Sequence, residues 1–303
     1  MDRLMPTIET LRTWAAPFTS FVSGRRRLFL LAATLLFVAG IVWSVSTLHL
    51  QLGALQPIPA LLLLLVFGPI SVAYGAVGLL LLGAIAGVRV RPGTALEVGA
   101  YAQLAEVLPI PGGAILRAGA LMRAGAGVID SSALVVASSV LWISMAAAAT
   151  GLVIVEISHV TALLLFGCGL GVTVSVCCWF ASKSNWSIVR LMLVHRCTGL
   201  AVNAARLKCA FAIVAVTLPL QKCLPFALAT ITGSATSIAP AGLGISETLG
   251  AVIAGSLSVA APSAFLALAL NRILALLGSA IIAIGCEVVR PSLKQAHEQP
   301  RSA

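Results

Sequence analysis

Four ionisable side chains sit in surroundings that should repel them. Glu106 and Arg117 flank a cluster of helix breakers, Pro109, Pro111, Gly112 and Gly113. Glu247 follows a second cluster, Pro240, Gly242 and Gly244, and Arg272, next to Asn271, lies well inside an apolar run. A helix that begins just after Gly113 or Gly244 presents free N–H groups and the positive end of its dipole, which suits a phosphate or carboxylate. Arg117 adds a full charge near the first of these ends, and a guanidinium can hold phosphate through two parallel hydrogen bonds. The alternative role for Arg117 is to face the cytoplasm and meet bulk lipid headgroups. A charge in the middle of a membrane helix costs about 2.5 to 3.5 kcal/mol on insertion scales. Arg272 therefore requires a partner, and Glu247 is the nearest candidate in sequence; Glu247 could instead neutralise its own helix N-terminus. Glu106 is placed to pair with Arg117 across the turn.

The other polar residues offer less. The seven cysteines lie in or beside apolar segments without a CxxC pair and read as small hydrophobes. The four histidines are scattered, and no His/Cys/carboxylate cluster has metal-ligand spacing, so neither a metal nor a cofactor is expected. The nine acids are too dispersed for a DDxxD pattern or a His/Ser/Asp set, so no catalytic residue is assigned. Glu97 and Tyr101 read as interfacial, and Asp130 before Ser131 and Ser132 as a helix N-cap.

The elements that must position these residues follow from composition. Of 303 residues 60% are apolar and 9% charged, whereas water-soluble domains carry about a quarter charged residues. The fold class is thus all-α integral membrane, with no room for a sizeable soluble domain. A net charge of +10 could suggest nucleic acid in a soluble protein, but aromatics are only 6% and no basic stretch interleaves with stacking residues. Nucleic acid is not an expected partner; the charge reports membrane topology.

A basic arm, residues 1–27, carries Arg3, Arg12, Arg25, Arg26 and Arg27 and leads into a first span, Leu28 to Ser46. The loop His49 to Pro57 has no Lys or Arg, and Ile58 to Ala86 returns to Arg89 and Arg91. Ser131 to Val155 and Val160 to Ala181 are joined by a turn that again lacks Lys and Arg. Lys183, Arg190, Arg196, Arg206 and Lys208 follow. His195, Arg196, Asn203 and Arg206 share one arc at about 100° per residue, with Arg190 opposite, which reads as a surface helix in the headgroup region. A short span at about Leu207 to Leu220 and a last span, Ser263 to Cys286, complete the membrane domain, residues 28–290, before the tail, residues 291–303. Every Lys and Arg except Lys222 and Arg272 then falls on one side, which the positive-inside rule makes the cytoplasm. Both termini are expected there.

Ala95 to Arg123 and Cys223 to Ala261 hold the two breaker clusters, each with an apolar arm on either side. Each segment is a re-entrant hairpin or two full spans with a tight turn, giving six spans plus two hairpins or as many as eight. Broken backbone is tolerated in a bilayer only where it is buried in protein or lines a polar cavity. The two segments have opposite settings, so Ile58 to Val155 and Leu207 to Cys286 read as inverted-topology repeats, with the site expected at their interface.

Pro-x-x-x-Gly-x-x-x-Arg (Pro109, Gly113, Arg117), Pro-x-Gly-Leu-Gly-x-x-Glu (Pro240, Gly242, Leu243, Gly244, Glu247) and Asn271-Arg272 resemble the membrane region of bacterial lysylphosphatidylglycerol synthases and its stand-alone relatives, over roughly Leu28 to Arg290. The resemblance implies a lipid flippase of the bacterial cytoplasmic (inner) membrane. In the full-length synthases this region is similar to a flippase that moves an aminoacylated phospholipid to the outer leaflet. Only a short tail follows Cys286, so the chain is expected not to carry the aminoacyl-transferase activity. The leading expectation is a protein that moves a phospho- or aminoacyl-lipid between leaflets, with membrane lipid as cargo. Its headgroup would meet Arg117, Glu106, Pro109, Gly112 and Gly113 together with Pro240, Gly242, Gly244, Glu247, Asn271 and Arg272. The alternatives are a non-catalytic membrane partner of a lipid-modifying enzyme and an intramembrane enzyme acting on a lipid phosphate.

Overall fold

The computed structural model describes residues 34–35, 37–48, 56–106, 111–235 and 244–298. Pro109, Pro240 and Gly242 lie outside the described residues, as do the basic arm, loop residues 49–55 and tail residues 299–303. Among the described residues all regular structure is helical. In chain order the helices are α1 Phe37–Thr47 and α2 Pro57–Ile85, followed by α3 Pro92–Ala105, α4 Gly112–Arg123 and α5 Val128–Val153. Then come α6 His159–Lys183, α7 Trp186–Ile213, α8 Cys223–Ala235, α9 Ile245–Ala254 and α10 Ala261–Glu298. Four of them, α2, α5, α6 and the Ala261–Val288 stretch of α10, are long and apolar enough to cross a membrane.

Local chemistry explains many of the boundaries. Pro57 and Pro92 open α2 and α3, where a missing N–H leaves no bond unmade. Ser158 and Asn185 cap α6 and α7 by accepting the backbone N–H of Thr161 and Ile188. Asp130 is not the N-cap expected of it. Gly127 holds that position, and Asp130 sits in the first turn of α5, where it favours the dipole and accepts a hydrogen bond from Lys183 at 3.0 Å. Within α2, Pro69 cannot donate to the carbonyl of Leu65, and the helix widens into a π turn over Leu63–Phe67 just before it.

The described helices repeat a pattern. A long helix, two short ones and another long helix occur as α2, α3, α4, α5 and again as α7, α8, α9, α10. The short members have 14, 12, 13 and 10 residues, so at about 1.5 Å per residue none reaches across a hydrocarbon layer of about 30 Å. Two cores lie among the described residues, one around Leu79, Leu121 and Leu141 that is shared with Phe180 of α6 and Met192 of α7, the other around Leu207, Phe211, Phe226 and Leu268. α6 lies outside the repeated pattern and packs along α5.

Residues 183–220 differ from the sequence expectation. In place of a surface helix followed by a short span there is one 28-residue helix, α7. It runs antiparallel to α2, with His195 against Gly78, Gly199 against Tyr74 and Arg206 bonded to Ser71. At its end the carbonyl of Ile213 accepts the N–H of Gln56, just before α2 begins. The polar arc that suggested a water-facing surface turns inward, because α2 and α5 supply its partners.

Candidate functional site

The glycines of the first breaker cluster let two helices touch. A Cβ on Gly112 would collide with the carbonyl of Ala105, and one on Gly113 would lie 2.8 Å from the carbonyl oxygen of Ala102. Glycine here lets α4 pack backbone to backbone against α3, whose last turn carries Gln103 and leads into Glu106. Arg117, on the next turn of α4, reaches back to Glu106 at 3.2 Å. The expected pairing across the break is therefore present, with both side chains about a third exposed (27% and 35%), unlike the second pair below.

The second break ends at Gly244, whose φ of +81° suits glycine. Its N–H is not free for an external anion: it donates to Glu247 Oε2 at 2.8 Å, leaving Glu247 Oε1 to face Arg272 Nε at 3.5 Å. Both roles expected of Glu247, helix neutralisation and ion pairing, are met by one fully buried carboxylate. Arg272 also donates to the hydroxyl of Ser246.

The two broken segments converge with α2, α5, α7 and α10 on a cavity of about 580 Å³. Glu106, Gly112, Gly113 and Arg117 line it from one segment, Thr230 and Ser234 from the other, and Asn271 and Arg272 from α10. Of the expected residues that are described, Gly244 and Glu247 stand behind the wall, holding Arg272.

α7 supplies the residues that sequence reasoning assigned to a surface. Arg196 is 8% exposed. It donates to Ser138 Oγ on α5 and to Tyr74 Oη on α2, the latter at 3.4 Å, and its guanidinium lies 4.6 Å from the centroid of Trp142. Stacking a desolvated cation on an indole contributes about 2 kcal/mol. The Tyr74 ring stacks on His195 at 3.8 Å and meets Trp142 edge-on at 5.0 Å, so α2, α5 and α7 are joined through one block of side chains. Gly199 leaves the space that the Tyr74 hydroxyl occupies. Arg206 donates to Ser71 Oγ at 2.9 Å, and Asn203 to Thr230 at 3.4 Å.

Several buried polar atoms around this cavity have no hydrogen-bond partner among the described residues: Arg196 Nε, Trp142 Nε1, His195 Nε2, Asn271 Oδ1 and Arg272 Nη1. Buried polar groups are nearly always bonded, and their concentration here marks a space built for something polar. The wall also includes Val136 and Val140 of α5, which are 61% and 38% exposed, so the cavity opens beside an apolar surface. Among the described residues no group of three or more His, Cys, Asp or Glu side chains could hold a metal ion. Ser71, Tyr74, Ser138 and Trp142 carry no charge or motif that would single them out in sequence; Arg196 and Arg206 were visible as an arc but not as a lining. No protein-family model, curated protein or solved structure matches the chain.

Proposed function

We propose that this protein moves a lipid with a polar headgroup between membrane leaflets, the headgroup passing through the cavity while its acyl chains stay in the bilayer. The observation that carries the reading is a single cavity which combines an arginine-rich interior with an opening beside exposed valines. A soluble solute needs no apolar side door, and an acyl chain needs no buried guanidinium; a lipid needs both.

The short lengths of α3, α4, α8 and α9 favour two re-entrant hairpins over full spans. With α2, α5, α6, α7 and α10 crossing, together with the first span expected at Leu28 to Ser46, of which α1 is the described part, the chain has six spans, and the hairpins dip in from opposite faces as inverted repeats. α7 crosses despite its charges because Arg196 and Arg206 face the cavity and not lipid, while the exposed Arg190 and Lys208 lie within two turns of its ends. Arg89, Arg91, Arg123 and Lys183 then share the cytoplasmic side with both termini, in keeping with the positive-inside rule. Residence in the bacterial cytoplasmic membrane, and kinship with the membrane region of lysylphosphatidylglycerol synthases, fit the same reading.

The test is reconstitution. Full-length protein in vesicles bearing a headgroup-labelled phospholipid should speed its exposure to a membrane-impermeant quencher relative to protein-free vesicles. Rates no faster than those of protein-free vesicles, for every headgroup tried, would remove the transport reading.

A further inference from the structure

The charges around the cavity do not balance. Among the described residues four guanidinium groups belong to it, and two have acidic partners: Arg117 has Glu106, and Arg272 has Glu247. Among the described residues Arg196 and Arg206 are bonded only to the neutral hydroxyls of Tyr74, Ser138 and Ser71, and neither lies within ion-pair distance of a carboxylate. Glu106 is within electrostatic reach of Arg206, but its bond goes to Arg117. Two positive charges thus remain inside the protein without an acidic partner.

Uncompensated buried charge is expensive, and both of these line the same cavity. Their partners Ser71 and Tyr74 stand one turn apart on α2, about 5 Å along its axis. The unbonded Arg196 Nε, Trp142 Nε1 and His195 Nε2 gather around the same block. Each is a nitrogen able to donate when protonated, but each is covered by its neighbours, so the charge that the cavity itself offers an oxyanion is that of the lining residues Arg196 and Arg206.

We infer that the headgroup bound here carries two negative charges, as a phosphate monoester or a diphosphate, and that Arg196 and Arg206 neutralise it. This rests on the lipid-transport reading and narrows its cargo. A phosphate monoester has a charge of about −1.5 to −2 near neutral pH, whereas a phosphodiester lipid with an uncharged headgroup has −1 and an aminoacylated one is zwitterionic or cationic. The last brings one phosphodiester charge, which leaves an arginine uncompensated, and its ammonium adds to the repulsion.

The experiment uses full-length protein in nanodiscs and three lipids with identical acyl chains: phosphatidic acid, phosphatidylglycerol and phosphatidylcholine. Inorganic phosphate, inorganic pyrophosphate and dodecyl phosphate serve as soluble probes. Phosphatidic acid should bind at least tenfold more tightly than phosphatidylglycerol, with phosphatidylcholine weakest, and dodecyl phosphate should compete where inorganic phosphate does not. Arg196→Gln with Arg206→Gln should bring phosphatidic acid down to the level of phosphatidylglycerol. The wild-type headgroup order needs no variant, so the inference stays testable if that double variant fails to fold. Equal binding of phosphatidic acid and phosphatidylglycerol, or an unchanged order in a folded double variant, would overturn it. If phosphatidylglycerol is nonetheless moved between leaflets, the transport reading survives that failure. Inorganic phosphate or pyrophosphate competing as well as dodecyl phosphate would assign the site to a soluble anion and overturn the lipid cargo.

Discussion

The two carboxylate oxygens of Glu247 serve two helices: Oε2 accepts the N–H of Gly244 at the start of α9, and Oε1 faces Arg272 Nε on α10 at 3.5 Å. One side chain therefore ends the second break and fastens it to the neighbouring helix. Arg272 is held from behind the cavity wall while its Nη1 remains unbonded. Arg272 still lines the cavity with a side chain 10% exposed, so an arginine held in this way can meet a ligand without being released by it.

That geometry separates scaffold from site. Glu247→Gln leaves Arg272 charged, largely buried and unpaired, a change that costs about 3 to 5 kcal/mol when a buried pair is broken from one side. Removing both charges with Glu247→Gln and Arg272→Gln should restore folded yield relative to either single change. Transport should stay lost, because a positive charge in the cavity lining is gone. Full lipid movement by a folded double variant, measured in vesicles, would reduce both residues to scaffolding.

Gly199 should tolerate nothing larger while Tyr74 is present. A Cβ there meets the Tyr74 hydroxyl, so Gly199→Ala is expected to displace the ring and lower stability by about 1 to 3 kcal/mol, the usual range for overpacking. In the background Tyr74→Ala the same glycine change should be nearly neutral. Thermal melts of the four proteins decide it: additive losses would mean that the two residues do not oppose one another.

How much of this was legible depended on charge. Arg117, Glu106, Glu247 and Arg272 stood out because ionisable residues are rare in apolar sequence, and their pairings follow from proximity along the chain. The breaker glycines were legible as breaks, yet Gly112 and Gly113 serve contact with the backbone of α3 and Gly244 donates to its own helix, facts that only tertiary placement reveals. The arc of His195, Arg196, Asn203 and Arg206 was periodic enough to find. Periodicity reports that a face is polar, not whether it looks at water or at a cavity, and the same arc fits both. Tyr74, Ser71 and Trp142 were invisible because a neutral residue in an apolar helix gives no signal until its partner is known. Asp130 missed its expected cap by three residues because Gly127, with no side chain to contribute, is the one that stands at the helix start.

Trp142 should tune the cavity through Arg196 without carrying charge itself. Trp142→Phe keeps an aromatic face with a weaker quadrupole, and Trp142→Ala removes it, so affinity for an anionic headgroup should fall in the order wild type, Phe, Ala. The stacking contribution of about 2 kcal/mol sets the scale at roughly thirtyfold for complete loss. Arg196→Gln should erase the difference between the three residues at position 142. Binding titrations in which the order persists without Arg196 would show that Trp142 acts by filling space.

The path of α7 gives the sharpest separation between a surface helix and a spanning one. Arg190 is exposed near its start and Gln221 is exposed just beyond its end. A surface helix would keep Arg190 and Lys208 on one face of the membrane, whereas a 28-residue helix, about 42 Å long at 1.5 Å per residue, carries the chain across. On a background with the seven cysteines replaced, Gln221→Cys should react with an impermeant thiol reagent in intact cells. Arg190→Cys should react only after the membrane is opened. Labelling of Arg190→Cys in intact cells would reverse the orientation, and labelling of both positions from the same side would return α7 to the membrane surface and leave Arg196 and Arg206 without a cavity to line.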